Sequence, residues 1–488
     1  MASATLRASV SRAWRLIALL ALGASATVGR ANPALPPPVQ QALARAGVPA
    51  TALAVVVADA APGGLVHLAH RADVPVNPAS VMKLVTTTAA LDLLGPAYTW
   101  RTGVYTDGPV RDGVLAGSLY LRGDGDPKLV TERLWLLLRR VQGLGIRHVA
   151  GDIVLDRSAF ALPAHDPGAF DGEPLRPYNA APDALLIHFR VQVLIFVPDE
   201  AAGVARVALE PPLAEVTVPE TVPLADGPCH DWRAALQADW SDPRRPRLAG
   251  RYPTACGERT WPLAHPEPER LAARAVAGLW AQLGGSVGGR VRDGTVPPGL
   301  APRLLFESVP LAEVVRDVNK FSNNVMAQQL FLTLARANPG PYDGAGNGAA
   351  VATFDAARAA VRAWWAARLG PDVAPPAIDN GAGLSRDARI TAAALARLLQ
   401  WAYASPWMPE LMASLPLAGV DGTLRRSPMG RGVAHLKTGS LADVQALAGY
   451  VHGPQGRRRV LVAIVNHPQA RAARPALDAL VQWAAALP

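Results

Sequence analysis

Lysine is nearly missing from this chain: Lys83, Lys128, Lys320 and Lys437 are the only four, and the other 44 of its 48 basic residues are Arg. A guanidinium keeps its proton in proteins, whereas a buried ammonium can lose one. Any chemistry that turns a cationic side chain into a base is therefore confined to four positions. Cysteine is equally scarce, with only Cys229 and Cys256, which excludes a multi-bridge disulfide scaffold and a cysteine-rich zinc module. Aromatic residues make up 6% and no Lys/Arg block is interleaved with them, so a nucleic-acid footprint is not supported. No apolar run is long enough for an integral membrane span.

What is present is a folding composition. Half of the 488 residues are hydrophobic and 18% are charged, and the length calls for two or three domains. Arg7, Arg12 and Arg15 precede the apolar run 16–22 and small residues up to Ala26 and Ala31, the layout of a secretory signal peptide over residues 1–31. A periplasmic location after cleavage is the expectation. Removing that segment takes away four Arg and no acid, lowering the net charge from +9 to about +5. In an exported chain the two cysteines read most simply as one disulfide, with two buried free thiols as the alternative.

Apolar spacing predicts helices over residues 40–46, 81–94, 131–142, 268–283, 311–336, 354–368, 391–404 and 471–486, and strands over 52–60, 446–451 and 460–466. Residues 156–266 are dense in Pro, short strands and loops. The two ends of the chain are alike and the middle differs. We therefore expect an α/β (α+β) multidomain protein, with one domain built from both ends and interrupted by a long nested insertion.

Three short motifs carry chemistry. In Ser80-Val81-Met82-Lys83, positions i and i+3 of a helix put a hydroxyl and an amine on one face. Such an amine, with its proton affinity lowered, can activate the serine as a nucleophile, and free N–H groups at the helix start can hold an oxyanion. In Lys437-Thr438-Gly439-Ser440 a second cation would lower the pKa of Lys83 and hold a substrate carboxylate, with Thr438 and Ser440 bonding it and Gly439 permitting close approach. Ser322-Asn323-Asn324 offers a hydroxyl and an amide for proton relay and substrate grip. Alone, each has a structural reading: a helix cap, a surface hairpin, a capped turn. Each pattern occurs once, in the chain order used by penicillin-recognising serine enzymes.

Taken with Asn77-Pro78-Ala79 before the first motif, Gly123-Asp124-Gly125-Asp126-Pro127, Asn380-Gly381-Ala382-Gly383-Leu384-Ser385-Arg386 and Asp421-Gly422-Thr423-Leu424, the chain resembles the low-molecular-mass class C penicillin-binding proteins. These form the D-alanyl-D-alanine carboxypeptidase/endopeptidase family, and the resemblance runs over nearly the whole mature chain. It implies a penicillin-binding transpeptidase/β-lactamase-like domain (32–98 and 302–488), an inserted second domain (99–165 and 266–301) and a nested β-rich third (166–265). It implies peptidoglycan stem peptides as substrate, β-lactams as covalent inhibitors, and no cofactor or metal. It also implies that Asp156, beside Phe160, and Arg386 reach the side chain of the stem-peptide diamino acid; a turn cap and a surface ion pair are the alternatives. Two departures stand out: Ala442, where some relatives have a polar amide, and His188, where Asn is common.

A β-lactamase or esterase of the same fold and a non-catalytic peptidoglycan-binding scaffold remain as rivals. The Gly284-Gly285-Ser286-Val287-Gly288 elbow pattern sits after a predicted helix rather than a strand, so it reads as a loop. His67 and His70 lack the Glu of a zinc-peptidase motif. Oligomeric state, a homodimer included, is left open.

Overall fold

The computed structural model describes residues 34–336 and 351–488. The signal-peptide segment lies outside the described residues. Both ends of the chain build one antiparallel sheet, in the strand order Ala434–Leu441, Val444–His452, Arg458–Asn466, Leu53–Asp59, Val66–His70. Its central strands are almost uniformly apolar because both faces are covered. Along Leu53–Asp59, Ala54, Val56 and Ala58 face one core while Leu53, Val55 and Val57 face another. The first core is closed by the helices Lys83–Leu94, Leu311–Phe321, Asn324–Leu334, Phe354–Leu369 and Ala392–Tyr403. Helices Pro37–Arg45 and Arg474–Ala486 close the second, giving three layers.

The predicted elements form within a few residues of their expected ends, with one correction. Residues 311–336 are not one helix. Ser322 takes a left-handed conformation (φ 59°) that ends Leu311–Phe321, and the Asn323 side chain then caps Asn324–Leu334 by accepting from Met326 N. Both segments are apolar, so periodicity alone does not register the break.

Between the two ends lies a second sheet, Val291–Asp293, Ile153–Asp156, Leu119–Arg122, Arg101–Thr106 and Leu304–Glu307, covered by helices Thr131–Gly143 and Pro268–Gln282. A third sheet, built on Val191–Asp199, encloses a small core around Phe196 and Tyr252, with Cys229 and Cys256 joined as a disulfide. We propose the three-unit division expected from the sequence, with its last crossing moved from residue 302 to beyond Glu307, since Leu304–Glu307 pairs with Arg101–Thr106.

The insertion docks on the helix that follows Ser322. Gln329, fully buried, donates to the carbonyls of Gly125 and Asp183 and accepts from Asp183 N. Thr333 accepts from Trp100 Nε1, and Arg336 just beyond the helix reaches Asp124 and the Ala159 carbonyl. These residues recur every three or four positions and so share one face.

The disulfide spans a sequence separation of 27 residues in the smallest of these cores. Replacing both cysteines by Ser is expected to cost about 3 kcal/mol in that unit. Thermal melting should show an earlier transition, and limited proteolysis should cut first within residues 191–264.

Candidate functional site

Ser80 sits in the short 3₁₀ turn Ala79–Met82, which runs straight into the helix starting at Lys83. The turn is set by Asn77, whose Oδ1 accepts from Ala79 N while its Nδ2 donates to the Ser385 carbonyl. Asn466, at the end of a central strand, bonds the backbone of Asn77 on both sides. Ala79 is held at φ 47°, a conformation that L residues adopt at a cost. The residue before Ser80 is thus pinned from the sheet below.

Lys83 is completely buried, and its Nζ has three neighbours: Ser80 Oγ at 2.9 Å, Asn324 Oδ1 at 2.6 Å and the Ala382 carbonyl at 2.6 Å. Asn324 Nδ2 donates to the Tyr178 carbonyl, which fixes the amide orientation. Two of the three neighbours can only accept. A neutral amine has two N–H groups for them and keeps its lone pair for the one neighbour with a proton to give, the Ser80 hydroxyl. Burial lowers the pKa of Lys83 well below its ordinary value, and the Lys437 ammonium lowers it further.

Lys437 is also fully buried, and burial brings its pKa down to about 7. Its Nζ donates to Ser322 Oγ at 2.9 Å and to the Thr438 carbonyl at 2.7 Å. The left-handed turn at Ser322 therefore lets one helix break serve two lysines: Ser322 meets Lys437, and Asn324 meets Lys83. Lys437 belongs to the outermost strand of the five-stranded sheet. A Cβ on Gly439 would lie 2.6 Å from the Pro78 carbonyl and 3.2 Å from Ser80 N, so only glycine lets this strand lie against the Ser80 turn. Thr438 Oγ1 lies 2.8 Å from Thr423 Oγ1, and Ser440, exposed, donates to Gln445 Oε1 at 3.3 Å.

All three motifs thus converge, and Asp156 and Arg386 have partners outside those motifs. Asp156 is 2% exposed, and its two carboxylate oxygens accept from Ser158 N and Val296 N. Each oxygen thus holds one main-chain N–H, as in a turn cap, and each keeps a second lone pair. Arg386 is exposed; its guanidinium lies 4.6 Å from the centre of the Phe170 ring and 3.8 Å from Asp443. Ala442 is exposed beside Asp443 in the turn after the outer strand. His188 is buried with its pKa lowered to about 4 by desolvation, and its Nδ1 meets Thr131 N and Oγ1. His67 bonds Asp59 and His70 bonds the Ala50 carbonyl. Ser286 opens a strand after the helix Pro268–Gln282, the order expected of a loop rather than an elbow.

Several contributors have no side-chain signature. The Ala382 and Tyr178 carbonyls touch the site through the backbone alone. For Ala382 a signal did exist, since Gly381 and Gly383 both take positive φ (75° and 74°) and mark a tight turn. A Cβ on Gly383 would sit 2.0 Å from the Ala79 carbonyl. Asn77 and Asn466 hold the turn without entering the site.

The family model described as the D-Ala-D-Ala carboxypeptidase 3 (S13) family matches residues 38–487. The D-alanyl-D-alanine carboxypeptidase of Actinomadura sp. (strain R39) is 30% identical over 436 residues, covering 85% of this chain and 77% of that protein. D-alanyl-D-alanine carboxypeptidase DacB of Haemophilus influenzae is 25% identical over 400 residues, 80% of either chain. The crystal structure of penicillin binding protein 4 from Haemophilus influenzae superposes with a TM-score of 0.66 at 23% identity, over 88% of this chain and 96% of that one. The likeness to that crystal structure is one of fold. With the family model spanning all but the ends of the sequence, and a relative 30% identical across 85% of it, this chain belongs to the D-Ala-D-Ala carboxypeptidase 3 (S13) family.

Proposed function

We propose that this serine-type D-alanyl-D-alanine carboxypeptidase works on peptidoglycan stem peptides through an acyl-enzyme on Ser80, with Lys83 as the base. One observation carries the reading. The Lys83 amine is enclosed with two acceptor-only oxygens and a single hydroxyl, so its neutral form is directed at Ser80. Ser80 Oγ attacks the carbonyl carbon of the penultimate D-Ala, and its proton passes to Lys83 Nζ. The C–N bond then breaks, the amine of the terminal D-Ala takes that proton, with Ser322 and Lys437 beside the path, and water hydrolyses the ester. The N–H groups of Ser80 and Ser440 are the oxyanion donors in this scheme, supported by the close approach that Gly439 permits. Lys437, Thr438 and Ser440 receive the substrate carboxylate.

β-Lactams would acylate the same serine, and a long-lived adduct separates this reading from a β-lactamase. The H. influenzae penicillin binding protein 4 has been solved complexed with a β-lactam. Because peptidoglycan lies outside the cytoplasmic membrane, the reading includes export to the periplasm.

Two outcomes follow. Ser80→Ala, and separately Lys83→Arg, should lower D-Ala release from a synthetic peptide ending in D-Ala-D-Ala by about 10³-fold or more. Ser80→Ala should also abolish covalent labelling by a fluorescent penicillin, and labelling of that variant would remove the nucleophile assignment.

The pH profile has a definite sign. The working state needs Lys83 neutral and Lys437 charged, so raising the pH first supplies the base and then discharges the anchor. For a carboxylate-ended peptide, kcat/KM should decline above about pH 7, where Lys437 loses its proton. Lys437→Arg, which keeps its charge, should flatten that alkaline limb while lowering the plateau. An unchanged limb in that variant would assign the decline to another group.

A further inference from the structure

The outer strand Ala434–Leu441 is open along only part of its edge. Leu436 N donates to the Pro416 carbonyl and Ala418 N donates to the Ala434 carbonyl, each at 2.9 Å, with Leu417 antiparallel to His435. A strap thus pairs with Ala434–Leu436 and leaves the strand just before Lys437. It is anchored by an ion pair whose lysine is buried and whose acid is partly exposed. Lys320 Nζ, on a side chain 6% exposed, donates to Asp421 Oδ2 at 2.6 Å and to the Leu415 carbonyl at 2.7 Å. The other Asp421 oxygen accepts from Leu417 N at 2.8 Å, closing the turn. A Cβ on Gly422 would lie 2.6 Å from the Lys320 carbonyl, so the strap rests directly on the helix end that leads into Ser322. The next residue, Thr423, is exposed and places its hydroxyl 2.8 Å from that of Thr438.

A peptide added to the open residues 438–441 has about 13 Å of edge at roughly 3.3 Å per residue. The cation, Lys437, stands at the strap end of that edge. The peptide's negative end belongs there, so the peptide runs antiparallel to the strand and stops against the strap.

We propose that the strap 416–423 is a chain-terminus reader: Thr423 contacts the free carboxylate of the leaving residue together with Thr438, and Lys320 and Asp421 are positioning residues that hold Thr423 there. The ligand class is a peptide whose leaving residue carries a free carboxylate; a backbone that continues past that residue would run into Thr423. The inference rests on the Ser80 acyl-enzyme reading and adds to it the group that rejects an extended chain.

The test uses the full chain and two thioesters with the same acyl group, one leaving as a mercapto acid and the other as its amide. Thioesters are reactive enough for both to turn over. In Thr423→Val the preference in kcat/KM for the acid over the amide should narrow about tenfold, the scale of one hydrogen bond to a charged group. Thr423→Ser should restore it. Asp421→Asn should narrow it in the same sense, through KM more than kcat. A preference unchanged in Thr423→Val overturns the proposal, and so does a loss that Ser does not restore. Ser80→Ala separates the two layers: turnover persisting in that variant removes the acyl-enzyme reading, while silence there with an unchanged Thr423→Val removes the strap alone.

Discussion

Everything in the catalytic half of this protein depends on keeping one amine dry. An ammonium in a sealed interior is costly, and with no acid partner in its shell Lys83 has its proton affinity lowered by burial and by Lys437. Its neighbours are oxygen atoms from three distant parts of the chain: a serine one turn away, an amide on a later helix and a backbone carbonyl from a glycine turn. A carboxylate in that shell would raise the affinity for the proton and work against the base role proposed for Lys83. Among the described residues the shell contains none, and the nearest charge acting on Lys83 is a second buried lysine of the same sign.

The remaining two lysines complete the contrast. Lys320 and Lys128 each meet carboxylates, Asp421 in one case and Glu313 with Asp317 in the other. Both act as struts in ion pairs, and the pKa of Lys128 is raised by its two partners despite partial burial. The same residue type is thus divided by its surroundings: Lys83 and Lys437, the base and the anchor of the proposed reading, meet uncharged oxygens, and the other two are fasteners. Arg could fill the second role but not that of Lys83.

The meeting of the three motifs could be anticipated before any coordinates, because they are side chains in short, singly occurring patterns. The i, i+3 spacing of Ser80 and Lys83 survives even though the first turn is 3₁₀ rather than α, since either geometry keeps the two on one side. What escaped notice works through main-chain carbonyls, such as those of Ala382 and Tyr178, which any residue supplies. Asp156 shows the opposite limit: an acid at the end of a strand looks the same in sequence whether or not it also caps a turn, and its two main-chain amide partners come from residues that any sequence could supply. In the fold, long apolar strands and helices were legible by period. The break at Ser322 was not, because hydrophobicity continues across it and the cause is one left-handed residue.

The three-layered sheet has a consequence for the order of assembly. Its strand Leu53–Asp59, early in the chain, is hydrogen-bonded on one side to Arg458–Asn466, near the other end, and Asn466 holds the turn that carries Ser80. The third sheet closes within residues 191–264 and can collapse first, whereas the outer frame must wait for its last strand. A nascent or truncated chain ending before residue 458 therefore lacks the strand that holds the turn carrying Ser80, and under the proposed reading acylating power must wait for that strand.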